Sequence, residues 1–104
     1  SSAQQVANVT MNCITGNLTA QVTLAPTQAA ISGSPGVSAT TLPGLSMAAT
    51  WGDLGTAVNF NIRRMYILKA GANPISVAFR PQLNTSVLPT GNFTSQYTLT
   101  INYP

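Results

Sequence analysis

The side chains able to do chemistry are few: one acid, Asp53; four bases, Arg63, Arg64, Lys69 and Arg80; one cysteine, Cys13; and no histidine in 104 residues. Paired-carboxylate acid–base catalysis needs two acids, and a nucleophile–base relay needs an imidazole. A metal centre needs several ligands, which a lone Asp and a lone Cys cannot supply. The inventory points away from an enzyme, a metal site and any cofactor. Four cations also fall short of the roughly six or more phosphate contacts of ordinary nucleic-acid binding. Arg63 and Arg64, adjacent in a strand, would point to opposite faces. The pI near 9.6 therefore reflects one acid subtracted from four bases, not a basic patch, and no nucleic-acid partner is expected.

Each remaining reactive or sticky residue has two readings. Cys13 shares a face with Val9 and Met11, so it is either a buried, inert thiol or half of a disulfide whose partner lies outside this chain. Trp51, beside Gly52-Asp53, is either a sugar-stacking platform or a partly buried loop aromatic. The Arg63-Arg64 pair is either a contact for an acidic partner or scattered, solvated charge. Asn-x-Ser/Thr sequons at Asn8, Asn17, Asn84 and Asn92 are glycan acceptors in a suitable secretory context, or chance products of a chain rich in Asn and Thr.

The elements that must position these residues follow from composition and period. Charged residues make up 5% of the chain, against about 25% in an average globular domain. With 44% hydrophobic residues the chain falls on the folded side of the disorder divide. No apolar run approaches the ~18 residues of a membrane helix. Ser1 to Gln5 has neither the basic start nor the apolar run of a secretory leader, so the chain reads as mature or trimmed. The expected surface is Thr, Ser, Asn and Gln, as in many extracellular β proteins, around one core in a single domain spanning 1–104.

Period-2 alternation dominates. From Asn92 to Tyr103, Phe93, Tyr97, Leu99, Ile101 and Tyr103 fall on one face, and Asn92, Thr94, Gln96, Thr98, Thr100 and Asn102 on the other. This predicts a long half-buried strand after the Pro89-Thr90-Gly91 turn. Val9, Met11 and Cys13, then Leu18, Ala20, Val22 and Leu24 across Thr15-Gly16-Asn17, predict a hairpin. A loop is expected over Pro26–Pro43, with a short strand near Val37–Thr41, and another strand over Leu45–Trp51. Val58, Phe60 and Ile62, continued to Leu68, predict a bulged strand. Ala70 to Pro74 reads as a turn, and Ile75, Val77 and Phe79 as a strand stopped by Pro81. Six or so short strands make an all-β sandwich or barrel.

The end of the chain resembles the last strand of chaperone–usher pilins: Gly91-Asn92-Phe93-Thr94, alternating residues, then a penultimate aromatic at Tyr103. Val9-Thr10-Met11-Asn12-Cys13 with Leu18 to Leu24 is similar to that family's cysteine-bearing strand and its partner. Ile75 to Arg80 is similar to the strand before the final loop. The resemblance implies an incomplete immunoglobulin-like β-sandwich. A periplasmic chaperone lends such a domain its missing strand, and a neighbouring fimbrial subunit replaces it in the fibre. It places the protein on the bacterial surface after passage through the periplasm, with a role in adhesion and a host receptor among its partners, and without membrane insertion. The groove residues it implies are Phe93, Tyr97, Leu99, Ile101 and Tyr103. The chain departs from the family twice. It has no second cysteine for Cys13, and Ser1 to Gln5 lacks the alternating apolar residues of a donor extension. A pilin domain separated from an adhesin domain would account for both.

Two other functions fit the same residues: a self-contained lectin-like or adhesin sandwich binding through its loops, and a capsid or surface-filament subunit. One feature favours strand addition. Edge strands usually carry charge against unwanted pairing, and Asn92 to Pro104 carries none.

Overall fold

The computed structural model describes residues 4–83 and 91–103. They form seven strands: β1 (Gln5–Cys13), β2 (Leu18–Pro26), β3 (Val37–Ala39), β4 (Leu45–Trp51), β5 (Arg64–Leu68), β6 (Gly71–Leu83) and β7 (Tyr97–Asn102). The strands build two antiparallel sheets, ordered β1-β6-β4-β3 and β5-β2-β7. The domain is all-β and roughly sandwich-like, open rather than closed.

The core lies between the sheets. Val22 and Leu24 of β2 meet Ala49 and Trp51 of β4 and Ile75 and Val77 of β6, with Val58 as a plug from the β4–β5 connection. All seven are 5% exposed or less. The alternation that predicts each strand also selects these residues, since every second side chain of a strand faces the other sheet. β4 occupies the span expected of it, and β3 falls within the short strand expected near Val37. Gly36 makes the entry to β3 possible. Its φ is 75°, and a Cβ there would stand 2.7 Å from the Ala49 carbonyl oxygen.

Four expectations are corrected. First, β1 and β2 are not a hairpin. β1 pairs with β6, Val9 opposite Ile75, while β2 pairs with β5 and β7. Two apolar-faced strands joined by a short loop can bury those faces side by side in one sheet or against each other across two. Here Ile14–Asn17 crosses between sheets, with Asn17 left-handed (φ 63°) and its N–H bonded to the Leu68 carbonyl at 2.9 Å. Among neighbours in the sheets, only β3 and β4 are also neighbours in the chain.

Second, Val58 to Arg63 is not strand. Asn61 is left-handed (φ 65°), its N–H bonds the Leu24 carbonyl at 3.0 Å, and Ile62 is 62% exposed. The alternation there coincides with a turn that encloses Val58 and packs Phe60 half-buried against the core.

Third, only Ala70 of the turn expected over Ala70–Pro74 lies in the β5–β6 connection; β6 begins at Gly71 and runs on through Pro74 and Pro81. The Ser76 carbonyl accepts from the Gly52 N–H at 2.8 Å, so even-numbered residues of β6 address β4 and odd-numbered ones address β1. Pro74 thus turns its missing N–H toward β4, whose pairing begins at Val77. Pro81 turns its own toward β1, whose pairing ends at Phe79. Neither proline removes a ladder bond, which is how a strand tolerates them.

Fourth, the last strand is shorter than its alternation. It covers Tyr97–Asn102, because Thr94 is tied to Thr41 of the other sheet's edge loop before the strand begins. Asn84, Pro89 and Thr90 lie outside the described residues.

Candidate functional site

β7 is an edge strand, paired with β2 on one side only. The Gln96 carbonyl accepts from the Thr27 N–H at 2.8 Å, toward β2. By alternation, Thr98, Thr100 and Asn102 direct their backbone groups to β2, and Tyr97, Leu99 and Ile101 direct theirs to the open side. Among the described residues no strand lies beyond them.

The side chains of the same three residues face the core but are only half-buried, whereas Val22 and Leu24 beside them in β2 are fully enclosed. In the four-stranded sheet the edge strand β1 is also uncovered. Val9 is 42% exposed although its register partner Ile75 is 2% exposed on the same face. Met11, Phe79, Tyr97, Leu99 and Ile101 all pack on the core without being enclosed by it. Three strands lie opposite four, and an apolar strip remains open. Tyr97 anchors one end of it, with ring centroids 4.6 Å from Phe79 and 6.1 Å from Phe60 and its hydroxyl 2.7 Å from Ser38 Oγ.

Of the groove residues expected from sequence, Tyr97, Leu99 and Ile101 come together. Phe93 lies before the strand, 38% exposed, and Tyr103 beyond it, 56% exposed, near Thr19, Gln21 and Met65. Met11 and Phe79 also pack half-covered on the core, Phe79 against the Tyr97 ring. Their alternation is visible in the sequence, but the contact of Phe79 with Tyr97 across the sandwich is not. Cys13 is a free, half-buried thiol at the end of β1, opposite Gly71.

The electrostatics lie elsewhere. Neither β1 nor β7 carries a charge. Arg64 is not solvated charge. It donates two hydrogen bonds to Asp53 and lies over the rings of Trp51 and Tyr66, 4.8 and 4.1 Å from their centroids. The Arg64 hydrogen bond holds the Asp53 carboxyl below its ordinary pKa, and Asp53 in turn raises that of Arg64. Burial pushes the Tyr66 phenol up. Trp51 is 5% exposed within β4, a core residue rather than a loop platform. Of the sequons, Asn8 accepts a hydrogen bond from Ser76, while Asn17 and Asn92 are exposed. The arrangement can accept a strand: an uncharged edge, with backbone donors and acceptors above an apolar strip. No family model, no curated protein and no solved structure matches this chain.

Proposed function

We propose that this protein is a structural subunit or pilin domain of a bacterial surface fimbria, an immunoglobulin-like sandwich completed by a strand from a partner. The observation that carries the reading is the coincidence at β7. Tyr97, Leu99 and Ile101 offer backbone groups with no strand beside them among the described residues, and half-covered side chains to the core. A strand laid beside β7 satisfies the first and covers the second, which is strand addition in its physical form. The missing strand comes from a periplasmic chaperone during export and from a neighbouring subunit in the fibre. The role is adhesion at the cell surface, with no catalytic step.

The test is amide hydrogen exchange with and without a synthetic peptide of alternating apolar and neutral polar residues. In the chain alone, the amides of Leu99 and Ile101 exchange quickly while those of Thr98 and Thr100 are protected. With peptide, all four are protected. A peptide at a hundredfold excess over its Kd stabilises by about 2.7 kcal/mol, which moves the melting temperature by several degrees or more. A lone chain whose Leu99 and Ile101 amides are already protected, and whose melting the peptide does not change, is a complete sandwich. The fimbrial reading then fails in favour of a self-contained binding module.

A further inference from the structure

The outer face of the four-stranded sheet carries a second concavity, a groove of about 550 Å³. It lies on the opposite side of that sheet from the core and is independent of the β7 edge. Its shape follows from the residues that the register brings into rows. Val6, Ala78 and Thr50 stand side by side in one row, with Arg80 beside Ala48 in the next. The centre is made of small residues and the rim of longer ones. Ala78 is 7% exposed although it points away from the core, because its taller neighbours stand around it. Gly52 keeps one end open, since a Cβ there would lie 2.6 Å from that of Ser76.

The rim is polar and holds one charge. Arg80 donates to Gln4 Oε1 at 2.9 Å, a neutral partner. Among the described residues no carboxylate is available to it, because the one acidic side chain, Asp53, is engaged by Arg64. Gln82, Thr50 and Ser76 add amide and hydroxyl groups along the groove. A guanidinium matches a carboxylate with two parallel hydrogen bonds, and amides and hydroxyls match sugar hydroxyls. The volume is in the range of small-molecule sites, roughly 300–1,000 Å³.

We propose that this groove binds a carboxylate-bearing saccharide of the uronic-acid type, with the carboxylate on Arg80 and the ring hydroxyls along Thr50, Ser76 and Gln82. A neutral sugar would leave the one charge unmatched. A polyanion would need cations that this face does not have.

The test is a titration of the isotope-labelled full chain with glucuronate, and in parallel with glucose and with acetate, followed by amide chemical shifts. Saturable shifts at Thr50, Ser76, Ala78, Arg80 and Gln82 are expected with glucuronate, with glucose and acetate each roughly tenfold weaker. Arg80→Gln should weaken glucuronate by about tenfold, as expected for loss of a charge-assisted hydrogen bond, and leave glucose unchanged. Arg80 is exposed, so this variant is expected to fold as the parent does, which its spectrum reports. The proposal is overturned by an absence of saturable shifts in the groove, or by equal binding to the Arg80→Gln variant. It is also overturned if acetate matches glucuronate with shifts spread to Arg63 and Lys69, the pattern of unspecific anion attraction.

Discussion

Two tyrosines carry the same hydroxyl into different surroundings. Tyr97 Oη lies 2.7 Å from Oγ of Ser38, a residue with no exposed surface, and accepts from Ser95 Oγ at 3.2 Å. Tyr66 Oη is buried with no hydrogen-bond partner among the described residues. Tyr97→Phe therefore strands a buried hydroxyl and is expected to cost about 1–3 kcal/mol in urea denaturation. Tyr66→Phe removes a group that nothing satisfies, and should leave stability within about 0.5 kcal/mol or raise it. The reverse order would mean that the two hydroxyls are wrongly assigned. Asp53 gives a second test. It is the one acidic side chain in a chain without histidine. Arg64 lowers its folded-state pKa. The ion pair's contribution is thus complete above the unfolded value of about 3.9 and is lost as pH falls through the folded one. Asp53 is 54% exposed, so screening by water keeps the effect under about 1 kcal/mol. Melting temperature is expected to be flat from neutral pH to about 5, to fall slightly below about 4, and to lose that fall in Asp53→Asn.

At the scale of elements, β1 and β6 are paired along nine residues yet differ in what covers them. Ile75 is enclosed, and Ile75→Ala is expected to cost about 2–5 kcal/mol. Val9, opposite it on the same face, is 42% exposed; Val9→Ala should cost only about 0.5–1 kcal/mol, since half of its apolar surface remains in water. The two costs should respond differently to an added strand peptide. Val9 is half in water on the open edge strand β1, so its cost is expected to rise with a peptide that covers this edge, while that of Ile75 stays constant. A double-mutant cycle treating the peptide as the second change reads this coupling directly. A Val9 cost that peptide leaves unchanged would place the strand away from β1.

The whole molecule is extended for its length. The radius of gyration is 15.3 Å, in a body of 52 × 23 × 19 Å, where a compact domain of this size has about 13 Å. A 13-residue β6 along which β1 and β4 are staggered, pairing mostly with its opposite ends, and a three-stranded sheet facing a four-stranded one, account for the difference. With a formal charge of only +3 and an uncharged open edge, little repels a second copy. The lone chain is expected to self-associate through β7. Thr100→Lys, on the solvent face of that strand, should reduce the association in sedimentation velocity across a concentration series while changing stability by less than about 0.5 kcal/mol. A wild-type chain that stays monomeric throughout the series would show that β7 does not recruit strands.

The sequence by itself determined the class of the fold and the faces of most strands. Period-2 alternation reports which side of a strand is apolar, and Leu18 to Leu24 and Leu45 to Trp51 read correctly for that reason. It also determined the near absence of ionisable groups, and thereby the uncharged β7. Partnership was decided by the tertiary structure. Alternation is satisfied equally by a β1–β2 hairpin and by β1 on β6 facing β2 across the core, and only long-range packing chooses between them. The same holds for strand ends. Nothing local keeps the last strand from reaching back to Phe93; the two bonds between Thr94 and Thr41 do. Arg64 reads as surface charge until the fold brings Asp53, Trp51 and Tyr66 around it. The open strip is likewise a property of two sheets with unequal strand number, since exposure depends on what lies opposite a residue rather than on the residue itself.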